Sequence, residues 1–447
     1  MVRSFVVVVL AGVMLGGCAS GINLWPFGQG TQATDEKKSE GRIALVGADE
    51  VLAADPSFAG RVIILPDPVQ TQAWAQAGGS AAKGGQHVDA AVDLRVAWRR
   101  KVAQGSTRKQ PLSSGPVAAD GKVFLLDSNQ AVIAVSASDA KPVWRVQLAS
   151  ENRRDGRAFG GGVAFAAGDV FVTSGFGFVV ALDANTGMEK WRRNLGHPLI
   201  SAPSVRDGRV YVIANNNEIF ALETATGATI WSDQGLVEPA RIMSAPSAAV
   251  AEDVIVAPMS SGEVIAFFPS NGRRLWTDTL SREGRATPMS SINDIPAYPV
   301  VSGGLVYAAS HSGVLAAIDL RRGERLWTLR FPSNQAPVVL GDHVFAVSTE
   351  GQVVAVDRLS GKIVWLSQLA RYRNPNEAKG AILWSGPLLA RNRVLLLSST
   401  GELVSLDVQT GAVMTTVRIN ANIARAPIVL GDTVFVLSEA GELIAIR

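Results

Sequence analysis

Among the 447 residues, one cysteine, Cys18, and four histidines, His87, His197, His311 and His343, carry the side chains with the most direct chemistry. A single thiol forms no intrachain disulfide and no cysteine-rich zinc site. The histidines are scattered with no HExxH spacing, so they read as structural or surface residues and not as metal ligands. No serine sits in a nucleophile elbow. Asp183, Asp319, Asp357 and Asp407 recur at one position of a repeat, and a periodic Asp just ahead of a glycine is a turn former before it is an acid catalyst. The run Gly78 to Gly85 lacks the Gly-Lys-Ser/Thr ending of a phosphate loop and reads as a flexible hinge. Tryptophans at 98, 144, 191, 231, 276, 327 and 365 are as periodic as the aspartates. Burying a tryptophan removes roughly 150–250 Å² from water, on the order of 4–6 kcal/mol at about 25 cal/mol per Å². Periodic tryptophans therefore read as packing between repeats, with carbohydrate stacking as the alternative.

The setting of Cys18 gives it another use. Met1-Val2-Arg3 opens the chain, an apolar run follows from Phe5 to Leu15, and Leu15-Gly16-Gly17-Cys18 ends it. A basic start, a short apolar run and small residues read as a secretory signal. The run falls short of the roughly 20 residues a spanning helix needs. The Leu-Gly-Gly-Cys ending resembles the bacterial lipobox, which makes Cys18 the lipidated first residue of the mature chain, and Ala19 in place of Asp favours the outer membrane.

These residues require a repeating framework to position them. Apolar residues make up 47% of the chain, charged residues 18% and the net charge is +3, which suits a large core and makes no strong case for nucleic acid, whose binders usually show a clustered basic face. From residue 94 a small residue, a turn glycine and a tryptophan recur at offsets of zero, six and ten: Ala181, Gly187 and Trp191 are followed by sets beginning at Ala221, Ala266, Ala317 and Ala355. Ala134 opens an earlier set in which Ala140 replaces the glycine, and Ser405 a later one in which Thr415 replaces the tryptophan. Short β-branched runs at period two, bounded by Gly, Asp and Asn, precede each set, as in Gly208-Arg209-Val210-Tyr211-Val212-Ile213. Four short strands per repeat describe a propeller blade. The final repeat lacks its outer strand, which Leu94 to Arg100 with Trp98 can supply, closing an all-β ring of eight antiparallel blades. The expected organisation is a signal peptide over 1–17, a lipid anchor and tether or extension over 18–90, and the propeller over 91–447.

The Ala…Gly…Trp repeat resembles the pyrroloquinoline-quinone-type propeller repeat. Of its two branches, the quinone-dependent alcohol dehydrogenases carry a Ca²⁺ site and a vicinal cysteine pair, and this chain has no second cysteine. With its lipobox, tether, eight blades and closure by the first strand, the chain is similar to the BamB family, the propeller lipoproteins of the outer-membrane β-barrel assembly machinery. That resemblance implies a non-catalytic scaffold with no cofactor, lipid-anchored at the periplasmic face of the outer membrane and monomeric within a hetero-oligomer of Bam subunits. It implies docking on the POTRA domains of BamA through two loops. In the first, Leu236 to Pro246, Arg241 occupies the arginine position with Glu238 and Ala240 beside it. In the second, Ser291 to Val301, Asp294 takes the first acidic position, Ile295 follows, and Pro296 replaces the second acid. A quinone-dependent periplasmic oxidoreductase and a glycan-binding propeller stay open as alternatives. The loops 151–160 and 371–379, rich in Arg and Asn, are further candidate contacts.

Overall fold

In the computed structural model, residues 52–150, 156–238, 242, 244–281 and 292–447 are described. Each repeat folds into a four-stranded antiparallel sheet. In blade 3, Ser204–Arg206, Arg209–Ile213, Glu218–Glu223 and Thr229–Gln234 pair in that order from the channel outwards. A blade packs on neighbours through both faces, so its middle strands are continuous apolar runs and not alternating ones. Val254–Pro258 and Glu263–Phe267 of blade 4 are buried at every position, whereas half the positions of the outer strand Arg274–Thr279 are exposed. Blades 1, 2, 5, 6 and 7 begin with the inner strands Val117–Ala119, Gly161–Ala166, Val300–Ser302, Val338–Leu340 and Trp384–Ala390. Blade 8 has three strands from the C-terminal end, Ile428–Leu430, Thr433–Leu437 and Glu442–Ile446, and takes its fourth, Val96–Lys101, from the other end of the propeller sequence. The expected closure of an eight-bladed ring is thus observed.

The repeated residues build one joint six times. Tryptophans 144, 191, 231, 276, 327 and 365 lie on outer strands and lean over the turn glycine of the next blade. Each indole N–H donates to a carbonyl of that same turn, at 2.8–3.0 Å, the acceptors being Ala184, Thr224, Pro269, Leu320, Arg358 and Val408. The periodic aspartates hold the turn: Asp183 Oδ1 accepts from the backbone N–H groups of Asn185 and Thr186 and from the Thr186 hydroxyl. Hydrogen bonds from Thr186 keep the Asp183 carboxyl below the usual carboxylate range. The glycine answers two demands at once. Gly227 has φ +71°, and a methyl there would stand 2.5 Å from Trp191 Cε3. Gly208 has φ +74° with open space around it. Gly208→Ala is therefore expected to cost about 1 kcal/mol of backbone strain, and Gly227→Ala about 2–4 kcal/mol once overpacking is added. Equal losses in urea unfolding would show that the indole contact contributes nothing.

The seam into blade 1 departs from the rule. Trp98 stands 5.9 Å from Phe435, centroid to centroid, but its buried indole N–H has no partner.

The segment before the ring overturns the hinge expected over Gly78 to Gly85. Residues 52–66 run along blades 6 and 7: Asp55 N–H donates to Ile363 O, and Ile63 exchanges two 2.8 Å bonds with the Gln409 side-chain amide. His87 Nε2 accepts from Asn392 N–H, which leaves Nδ1 to donate to Pro66 O. The chain then circles the channel. Thr71 O accepts from Gly431 of blade 8, Trp74 exchanges backbone bonds with Ala118 of blade 1, and Ala75 O accepts from Phe165 of blade 2. The Gln76 amide bonds both backbone groups of Val205 in blade 3, and Ala81 and Ala82 accept from Val250 of blade 4 and Val301 of blade 5. Gly85 passes so close to Val338 of blade 6 that a methyl would lie 2.5 Å from its Cγ1. Val88 bonds Leu389 and Arg391 of blade 7, and Ala91 returns the chain to Asp432 of blade 8. Residues 71–91 thus form a strap touching all eight blades in ring order. The physical reason is the inner strand's free edge: each blade offers unpaired N–H and C=O groups to the channel, and the strap satisfies them.

Candidate functional site

Two loops expected to meet a partner lead into the inner strands of blades 4 and 5. The first leaves the outer strand Thr229–Gln234 and is pinned at its start. Leu236 N–H donates to Glu263 Oε2 at 2.9 Å, Leu236 O accepts from the Asn217 amide, and Glu263 also accepts from the Ser261 hydroxyl. Glu263 and Asn217 are both buried, whereas Leu236 and Val237 are about two-thirds exposed. Glu238 is half-buried. Ala240 and Arg241 lie outside the described residues.

The second loop is tied to the first. Asp294 is only 3% exposed, and its Oδ2 accepts from Ile242 N–H at 2.6 Å. Its backbone carbonyl accepts from His311 N–H in blade 5. Ile295 is buried in the core between blades 4 and 5 with Leu280, Trp276 and Val301, so its side chain offers no outer surface. The structure therefore brings Asp294 and Ile242 together as a clasp, leaves Glu238 at the edge, and places Ile295 inside. Sequence reasoning missed Asn217 and Glu263, which fix the loop, and the exposed pair Leu236–Val237. The signal for the pair was present: two apolar residues in a loop otherwise free to be polar.

Behind both loops lies a cavity of about 310 Å³ on the channel axis. Segments entering the inner strands form its wall, including Ser114, Ala245, Tyr298, Val338, Leu388 and Arg425, and the strap lines it with Trp74, Gly78, Lys83 and Gly85. Lys83 is 2% exposed and its Nζ has no hydrogen-bond partner; burial lowers its pKa to about 7. Burial likewise pushes the Tyr298 phenol up to about 12. No Asp or Glu lines the cavity among the described residues, and among them no group of three or more His, Cys, Asp and Glu stands together to hold a metal. The described lining thus supplies no carboxylate for the cation site that a quinone dehydrogenase pairs with its cofactor.

Of the other candidates, Cys18 and residues 151–155 lie outside the described residues. Tyr372–Asn374 and Lys379–Ala381 form a small, mostly exposed hairpin beside blade 7, with Arg371 paired to Glu350. No helix among the described residues is long and apolar enough to cross a membrane.

The family model for the outer membrane protein assembly factor BamB matches residues 84–156, 151–367 and 367–447. The assembly factor of that name from Yersinia pestis is 32% identical over 210 residues, 46% of this chain and 53% of its own length. The one from Shewanella oneidensis is 25% identical over 373 residues, 80% of this chain and 89% of its own. Among solved structures, BamB from Moraxella catarrhalis superposes with a TM-score of 0.61 at 19% identity, covering 78% of this chain and 97% of that one. A europium-containing methanol dehydrogenase superposes at 0.65 with 14% identity, covering 82% of this chain and 89% of that one, a likeness of fold alone.

Proposed function

Because the chain belongs to the family of the outer membrane protein assembly factor BamB, we propose that it is a non-catalytic scaffold lipoprotein of the outer-membrane protein assembly machinery. In this reading it is held at the periplasmic face of the outer membrane by lipidated Cys18. It docks on the POTRA domains of BamA as one subunit of a hetero-oligomer. The observation that carries the reading is the family match, which runs from the strap through the last blade.

The docking surface is the pair of loops entering blades 4 and 5. Leu236 and Val237 are presented to solvent on backbone already fixed by Asn217 and Glu263. An apolar pair on a pre-ordered loop loses little conformational entropy on binding. Arg241 follows within the same loop, and arginine is among the residues that most often dominate an interface. Asp294 acts from beneath, its carboxylate accepting from the backbone N–H of Ile242 in that loop.

The test is capture of BamA by the full-length lipoprotein and its variants. Arg241→Ala and the double change Leu236→Ser with Val237→Ser are each expected to weaken capture at least tenfold, a loss of about 1.4 kcal/mol or more. Asp294→Ala is expected to weaken it less, because it loosens the loop without removing a contact. Undiminished capture by Arg241→Ala combined with Asp294→Ala would remove this site while leaving the scaffold reading standing.

A further inference from the structure

The outer strands do not share their charge evenly round the ring. The residues that follow the tryptophan are Arg99-Arg100-Lys101 in blade 8, Arg145-Val146-Gln147 in blade 1 and Arg192-Arg193-Asn194 in blade 2, with no acid among them. The same positions read Ser232-Asp233-Gln234 in blade 3 and Thr277-Asp278-Thr279 in blade 4. There Asp233 and Asp278 pair with Arg274 and Arg325 of the following blade. Blades 5, 6 and 7 place only Arg330 and Arg418 at these positions.

The loops at the same end of the ring add to the imbalance. Arg108 and Lys109 lie between blades 8 and 1, and Arg157 lies between blades 1 and 2. Some cations of this rim are already paired: Arg145 with Asp127, Arg192 with Glu189, and Arg99 at 4.0 Å from Glu442. Glu439, at the same end of blade 8, acts on Arg425. Lys101 stands opposite Glu442 in register but donates to the Ala440 carbonyl. Arg100, Lys101, Arg108, Lys109, Arg157 and Arg193 are all exposed, and none has an acid partner among the described residues. Glu151, Arg153, Arg154 and Asp155 lie outside the described residues and cancel in charge. Phe159, two residues beyond Arg157, is 47% exposed.

None of these cations lines the axial cavity. Long flexible stems spread over the outer rim of three adjoining blades match a sheet of negative charge better than a single small ligand. Anionic lipid headgroups form such a sheet and attract Lys and Arg that come within a screening length of it. An exposed phenylalanine among cations supplies the pairing of basic and apolar side chains that holds interfacial segments to bilayers.

We propose that the rim of blades 8, 1 and 2 rests on a bilayer through anionic phospholipid headgroups and so orients the propeller against the membrane. The proposal rests on the lipoprotein reading for one premise, that lipidated Cys18 keeps a bilayer within reach. The contact orients the anchored chain and does not replace the anchor. It uses none of the residues of the two docking loops.

The experiment is vesicle flotation of the mature chain, residues 18–447 with Cys18→Ser so that no lipid is attached. The vesicles are phosphatidylcholine alone, or phosphatidylcholine with about one-third phosphatidylglycerol. At about 0.1 M salt, where the screening length is about 10 Å, binding to the anionic vesicles is expected to be at least tenfold tighter than to the neutral ones. At about 1 M salt, where that length is about 3 Å, the preference should vanish. Arg100→Gln with Arg108→Gln should lower affinity for the anionic vesicles at least tenfold. Arg273→Gln with Arg322→Gln removes the same charge from exposed turns at the other end of blades 4 and 5, and should lower it less than about twofold. Equal binding to the two vesicle types, or equal losses for the two arginine pairs, would overturn the assignment. Tighter binding of soluble polyglutamate than of anionic vesicles, compared per charge, would also overturn it and give the rim to an acidic protein surface. The comparison of vesicle types needs no variant, so it stands whatever the substitutions do to folding. No BamA is present, so failure of this contact is told apart from failure of the docking reading.

Discussion

Trp276→Ala is expected to lower the stability of the propeller by about 3–5 kcal/mol, as removal of a buried tryptophan does elsewhere. The indole sits between blades 4 and 5 and is 9% exposed. It covers Gly323, where a methyl would lie 2.6 Å from Cγ, and donates to Leu320 O at 2.9 Å. Alanine would open a cavity at a seam that both blades need, and the backbone of the turn, locked at positive φ, cannot collapse into it. Phenylalanine separates the two contributions. Trp276→Phe keeps most of the apolar surface but strands the Leu320 carbonyl, a loss of about 1 kcal/mol for the hydrogen bond. Trp98→Phe should cost less than Trp276→Phe, because the Trp98 N–H has no partner to lose. Guanidinium unfolding of the three variants checks this, and equal losses for the two phenylalanine variants would contradict it.

Lys83→Met should have the opposite sign. Removing the unpaired ammonium while keeping a long apolar side chain is expected to stabilise the protein at pH 6 by on the order of 3–5 kcal/mol. The pH dependence follows from the direction of the shift. Burial lowers the folded-state pKa to about 7 from 10.5, so between these values the unfolded chain binds the extra proton. Stability of the unaltered protein then rises with pH across that window, and the penalty is fully present below pH 7. The advantage of Lys83→Met must therefore shrink as pH rises from 7 towards 10.5. Unfolding midpoints of both proteins at pH 6 and pH 10 measure it; a constant difference, or a loss of stability at pH 6, would refute the account of Lys83.

What was legible beforehand divides along a physical line. The spacing of Ala181, Gly187 and Trp191 announces a blade because one packing problem is solved the same way many times. Repetition turned a tertiary contact into a sequence pattern. Trp98 could be matched to the last blade for the same reason. The strap is built once, so nothing repeats, and its glycines looked like slack when Gly85 is instead bare because Val338 lies against it. Its charge pattern held the missed clue. A solvated tether carries charge, whereas Val69 to Val88 carries only Lys83. The loops lie between these extremes. Resemblance picked out Asp294, but its burial and its bond to Ile242 depend on which blades are neighbours, which no local spacing encodes. Ile295, adjacent in sequence, points into the core for the same reason.

The most direct test of the central claim is isolation of the full-length lipoprotein from its own outer membranes in mild detergent, with mass spectrometric identification of what accompanies it. The scaffold account predicts BamA in near-equal amount, together with other Bam subunits, and a membrane-bound fraction that is lost on Cys18→Ser. Recovery of the chain without BamA, or with a quinone bound in near-equal amount, would contradict it.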